Sequence, residues 1–96
     1  MSYAAQYTLA TDAAAFLPRV EIAICTAAIQ IQAEAGNTAN HTARSRLAGQ
    51  VLNDPPGWAK LFAKAVATNA AITAASLDSD IQFTVNSMWD AFATRA

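Results

Sequence analysis

Apolar residues recur at helical spacing along most of the chain, and strand-like alternation is weak. The spacing i, i+3, i+4, i+7 places side chains on one face of an α-helix, whereas strict alternation indicates a β-strand. The one alternating stretch, residues 29–32, lies inside a longer helical pattern. The pattern predicts five helical segments: residues 3–9, a segment from 11 or 12 to 34 or 35, residues 40–52, one from the prolines at 55 and 56 to 66, and one beginning at 79.

The second segment carries apolar residues on two faces. Its first stripe comprises Val20, Ile24, Ala27, Ala28 and Ile31, and its second comprises Ile22, Cys25 and Ile29. A helix that is apolar on more than one face must be surrounded. This segment is therefore either a central helix packed by all the others, or a helix that keeps one face for a partner subunit.

Polar and breaking residues mark the ends of the segments. Pro18 lies about a turn inside the second segment, so that helix either bends or begins there. Gly36 suits the left-handed position after the same helix. Asn40 is expected to cap the third helix, and Asp54 the fourth. At the start of the last helix, Ser79 and Gln82 have the spacing of a capping box. Asp78 and Asp80 place negative charge at the positive end of the dipole of this helix.

Stacking these amphipathic faces predicts an all-α fold, a compact bundle of four to five short helices in a single domain over residues 1–96. In the fourth segment the predicted buried stripe is Trp58, Leu61, Phe62, Ala65 and Val66. Across the chain we expect the core to hold Ile24, Ile31, Leu47, Val51, Trp58, Phe62, Val85 and Trp89.

Composition excludes several classes of protein. Charged residues make up 14% of the chain and the net charge is −1, which does not suit a disordered tail. Without a surplus of Lys and Arg, no sequence-specific nucleic-acid binding is expected. The N-terminus lacks the positive region of a secretory signal, and the uncharged run 22–33 is too short to span a bilayer. We therefore expect a protein made in the cytoplasm, with no membrane contact.

The sequence contains no pattern of residues typical of catalysis. Cys25 is the only cysteine, and its apolar neighbours predict a buried small side chain. His41 is the only histidine and is expected to be solvated or capping, since metal sites and catalytic triads need further partners. We predict no enzyme activity, no catalytic residues, no metal and no cofactor.

Several side chains are candidates for contact with another subunit. Phe83 lies off the apolar stripe of the last helix and is expected on the surface, where apolar area usually marks an interface. The basic residues are predicted on outer faces, either solvated or contacting carboxylates of a neighbouring protein. The candidate interface residues are Tyr3, Tyr7, Ile22, Ile29, Arg44, Arg46, Lys60, Lys64 and Phe83.

Two stretches resemble a known kind of protein. They are residues 40–55, with Asn40-His41-Thr42-Ala43-Arg44 and Val51-Leu52-Asn53-Asp54-Pro55, and residues 78–89, from Asp78-Ser79-Asp80-Ile81 to Trp89. The resemblance spans most of the chain and is to the small, Ala-rich helical virion proteins of tailed bacteriophages, among them the head–tail connector (adaptor) proteins.

The resemblance implies a viral structural protein: a homo-oligomeric ring in the virion, between the portal and tail proteins. This chain lacks an obvious long arm or C-terminal tail for threading into neighbours. A capsid decoration or minor capsid protein is the alternative within this class, and a small regulatory helical module that binds a partner protein is the alternative outside it.

Overall fold

The chain folds into four helices where the structure, a computed structural model, describes it: residues 10–34, 36, 40–67 and 77–95. The helices are α1 (Ala10–Gln32), α2 (His41–Asn53), α3 (Pro55–Ala67) and α4 (Leu77–Arg95), and these described ranges contain no strand. The prediction of an all-α bundle is confirmed. The predicted first helix, with Tyr3 and Tyr7, lies outside the described residues, as does the stretch 68–76.

The long helix α1 is the centre of the bundle. It packs against α2, α3 and α4 more extensively than any of those three helices packs against another. Its whole first stripe is buried, together with Phe16 and Ala23. The helix continues through Pro18, so it does not begin there.

The link from α1 to α2 differs from the prediction. After Gln32 the backbone tightens, and the amide of Glu34 donates to the carbonyl of Ile31 at 3.1 Å. Bonds of this i→i−3 type satisfy the last carbonyls of a helix, so Gly36 is not needed in a left-handed conformation and does not adopt one. The left-handed residue is Asn40, with φ 60° and ψ 22°.

Asn40 directly precedes α2, but its side chain makes no capping hydrogen bond. Capping side chains normally extend from a β-region backbone, which Asn40 does not have. Its carbonyl accepts the amide of Arg44 at 2.9 Å instead.

The break between α2 and α3 forms as predicted. The Asp54 carboxylate accepts the amide of Gly57 at 3.2 Å, which is the bond of an N-cap residue. Pro55 and Pro56 occupy the first turn, where a missing N–H costs no helical hydrogen bond. Asp54 also ends α2, because its own amide donates to the carbonyls of Gln50 and Val51.

Helix α3 is rotated about its axis relative to the prediction. Its buried side chains are Ala59, Phe62, Ala63 and Val66, while Leu61 is 49% exposed and Trp58 only half-buried. The placement of Leu61 in the core was therefore wrong, and Trp58 packs at the edge of the core. Helix α3 packs mainly against α1, and the small Ala59 and Ala63 let two helices approach closely.

The start of α4 also differs. The helix includes Leu77 and Asp78, so Ser79 lies inside it and is not its N-cap. The Gln82 side-chain amide donates to the carbonyl of Ala23 and to Asn86 Oδ1, each at 3.1 Å. Gln82 therefore links α4 to α1 instead of closing a capping box.

Aromatic rings join α3 to α4 in the core. Phe62 stacks on Phe92 with the ring centroids 4.2 Å apart, and it lies 5.5 Å from the ring of Trp89. Of the residues expected in the core, Trp58 and Ala65 are half-buried and Leu61 is exposed, while the others are buried.

Candidate assembly surfaces

A stripe of apolar side chains runs along α1 on the side away from the core. We call Pro18, Ile22, Cys25 and Ile29 the α1 stripe; their spacing of four, three and four residues keeps them on one face. Ile22 is 67% exposed and Ile29 59% exposed. Both stripes predicted on this helix are present, because α1 is central to the bundle and still presents one face outward.

The α1 stripe borders an open groove of about 440 Å³. Besides the four stripe residues, Glu21 and Thr26 line it. The Thr26 hydroxyl donates to the carbonyl of Ile22 at 2.8 Å, so it is satisfied within its own helix. Among the described residues that line the groove, Glu21 is the only charged one, which makes this part of the surface mainly apolar.

Cys25 forms part of the groove wall. It is half-buried and packs partly against the core, so the prediction of a buried thiol is only partly correct. Burial raises the pKa of the Cys25 thiol, and the negative charge of Glu21 raises it further. The thiol is therefore held in its neutral form at physiological pH.

Phe83 dominates the outer side of α4. It is 73% exposed, as its position off the apolar stripe predicted. Ser87, Asp90 and Thr94 follow it at intervals of four, three and four residues and are exposed too. The hydroxyls of Ser87 and Thr94 donate to carbonyls of α4. We call these four residues the α4 outer face.

Helix α3 presents a basic surface around Leu61. Lys60 and Lys64 are both exposed; they lie one turn apart on the same face of the helix, and Leu61 lies beside them. We call these three residues the α3 outer face. The exposure of the two lysines agrees with the prediction, whereas the sequence assigned Leu61 to the core.

Arg44 is half-buried between α1, α2 and α4 and does not lie on an outer face. Its side chain is 17% exposed; Nη1 lies 2.5 Å from Asp90 Oδ1, and Nη2 lies 3.3 Å from Glu34 Oε1. Burial alone would lower the pKa of the guanidinium, but the hydrogen bond and charge of Asp90, together with Glu34, raise it above its usual value. The prediction that Arg44 lies outward was wrong, while Arg46 is exposed.

A pattern in the sequence does account for Arg44. It precedes Leu47 by three residues and Ala48 by four, so it shares their buried face. Nothing in the local spacing indicates Asp90, which lies 46 residues further along.

A second ion pair joins α1 to α4. Arg19 Nη1 lies 2.5 Å from Asp78 Oδ1, and both side chains are largely exposed. Asp78 was expected to act at the positive end of the helix dipole, and it lies in the first turn of α4. It also connects this turn to the central helix.

His41 is half-buried, and its Nδ1 is buried without a hydrogen-bond partner among the described residues. It is therefore enclosed and not fully solvated. Within the described ranges no group of three or more His, Cys, Asp or Glu side chains is placed to hold a metal ion. None of the helices that the structure describes has both the length and the apolar character needed to cross a membrane.

Comparison of the chain with models of protein families, with curated proteins and with solved structures found no match. Of the predicted interface residues, the structure groups Ile22 with Ile29 and Lys60 with Lys64. Phe83 and Arg46 lie exposed on two other helices.

Proposed function

We propose that this chain is a non-enzymatic structural subunit of a homo-oligomeric assembly. Its setting is a tailed-bacteriophage particle, and its place there is a head–tail connector ring between the portal and tail proteins. The virion setting rests on the resemblance of the sequence stretches described above. The assembly role rests on the surface of the folded chain.

The exposure of Ile22, Ile29 and Phe83 carries the proposal. All three are large apolar side chains that are more than half exposed, although the described helices enclose a cluster of buried apolar residues. Fully burying such a side chain contributes about 1.5–3 kcal/mol relative to leaving it in water. Contact with other subunits would recover this free energy.

The proposed mechanism is geometric. A rigid bundle presents apolar and weakly charged faces to identical neighbours, and closure of a ring makes many modest contacts collectively strong. The low net charge of −1 keeps electrostatic repulsion between copies small. Such a subunit needs neither a catalytic group nor a cofactor.

The mass of the purified chain in solution tests the proposal. We expect the wild type to form oligomers over a concentration series in analytical ultracentrifugation. The double variant Ile22→Gln/Ile29→Gln should shift the equilibrium towards monomer because it removes the apolar centre of the α1 stripe. Gln50→Ser/Asn53→Ser is the matched control, since it alters two exposed residues of α2 and should assemble as the wild type does.

A wild type that stays monomeric at high concentration contradicts the proposal. If that monomer bound a single partner protein stoichiometrically, the regulatory module would be the better function. Within particles, copy number separates the two virion roles: a number matching one ring favours the connector, and one near that of the major capsid protein favours decoration.

A further inference from the structure

The outer faces of α3 and α4 differ in charge, and each carries a large exposed apolar side chain. The α3 outer face places Leu61 beside Lys60 and Lys64, and α3 contains no acidic residue. The α4 outer face starts at Phe83 and includes Asp90. Each face therefore combines one exposed large apolar side chain with charge of a single sign among its described side chains.

The negative character of the α4 outer face survives the ion pairs within the chain. Arg44 pairs with both Asp90 and Glu34. One positive charge therefore faces two negative charges, and the cluster of these three residues keeps a net negative charge. Asp80, which is half-buried, lies about one turn before Phe83 and is the carboxylate nearest to it at this end of the helix. A positively charged apolar surface is the complement of this face.

We propose that the α3 outer face of one subunit docks on the α4 outer face of the next. This inference rests on the proposed function, because the occupant is a second copy of the same chain. Leu61 contacts Phe83, and Lys60 and Lys64 lie towards Asp90 of the neighbour. Aromatic side chains at the centre of a polar rim are typical of protein interfaces.

The contact explains why assembly would lead to a ring. Two different patches of the same subunit form a heterologous interface, which leaves a free patch at each end of every pair. Further copies add until the rotation between the patches closes the ring. The α1 stripe takes no part in this contact and stays available to another neighbour.

A charge-exchange experiment tests the contact. Lys60→Glu/Lys64→Glu makes the α3 outer face acidic, and Ser87→Lys/Thr94→Lys makes the α4 outer face basic while leaving Arg44 and Asp90 themselves in place. Each variant alone would bring like charges together, and we expect association about tenfold weaker or more. An equimolar mixture should recover association, since each variant then finds a complementary face on the other.

Controls keep a failure of this contact distinct from a loss of folding. Circular dichroism and thermal unfolding check each variant, and Lys60→Glu alone repeats the test without altering the last turn of α3. Thr42→Glu/Gln50→Glu changes charge at two exposed positions on α2 and should associate as the wild type does. Raising the salt concentration to about 1 M should weaken wild-type association, because the Debye length falls to about 3 Å.

The possible results separate the two proposals. A wild type that never associates rejects the proposed function itself. A wild type that associates while either charge variant alone associates equally well rejects only the contact between α3 and α4. A mixture that fails to recover association also rejects this contact.

Discussion

The indole N–H of Trp89 donates a hydrogen bond to the backbone carbonyl of Arg44 at 3.3 Å. The next residue of α4, Asp90, pairs with the guanidinium of the same arginine. The backbone carbonyl of Arg44 therefore binds Trp89, and its guanidinium binds Asp90, the next residue of α4. Trp89 is the largest buried side chain of the core, and this hydrogen bond gives its buried indole N–H an acceptor. This arrangement fixes α4 against α2 and thereby fixes which side of α4 faces outward.

Replacing Arg44 should destabilise the fold, whereas replacing Arg46 should not. Arg44→Met leaves Glu34 and Asp90 without their shared cation, and we expect a loss of about 1–3 kcal/mol in the free energy of unfolding. Arg46→Met on the same helix alters an exposed side chain and should stay within about 0.5 kcal/mol of the wild type. Urea unfolding measures both, and equal effects would show that the ion pairs of Arg44 contribute nothing.

The rotation of α3 predicts opposite outcomes for two adjacent residues. Phe62→Ala should cost about 3–5 kcal/mol, because it opens a cavity between two aromatic rings. Leu61→Gln should change the free energy of unfolding by only about 0.5 kcal/mol, since Leu61 points away from the core. Both are measured on the monomer at low concentration. Comparable losses would place Leu61 back in the core.

The N-cap formed by Asp54 should contribute measurably to the free energy of unfolding. Asp54→Ala removes the acceptor of the Gly57 amide and should cost about 0.5–2 kcal/mol. Asn53→Ala, at the exposed last residue of α2, is the control and should have little effect. Thermal unfolding monitored by circular dichroism gives the comparison. An unchanged melting temperature for Asp54→Ala would contradict the cap.

Gly57 and Asp54 should be coupled. A Cβ at Gly57 would collide with the Asp54 carboxylate, so Gly57→Ala should not gain the roughly 1 kcal/mol that helix propensity favours. In the Asp54→Ala background the collision is gone, and Gly57→Ala should stabilise the chain. A double-mutant cycle measures the coupling. Additive effects would show that the two residues do not interact.

Cys25 should react slowly and should stabilise the fold only while it is protonated. Because its pKa is raised in the folded state, this contribution is complete below the unfolded pKa and is lost as pH rises through the folded value. Alkylation at about pH 8 should therefore be slower in the folded chain than in the urea-unfolded chain. Equal rates, after correction for the reagent in urea, would contradict the raised pKa.

Local spacing was sufficient for much of the fold. The third predicted segment, residues 40–52, is α2 at His41–Asn53, and the cap at Asp54 forms as predicted. The α1 stripe could also be predicted, because residues four and three apart share a helical face whatever surrounds them. These features depend on neighbours within one or two turns of the same helix.

The tertiary structure decided what local spacing leaves open. Helical periodicity groups Leu61 with Phe62, but packing of Ala59 and Ala63 in the core turned Leu61 outward. The pairing of Arg44 with Asp90 joins residues on two helices that are 46 positions apart. Spacing within a helix determines which side chains share a face, whereas the neighbouring helices determine which face is buried.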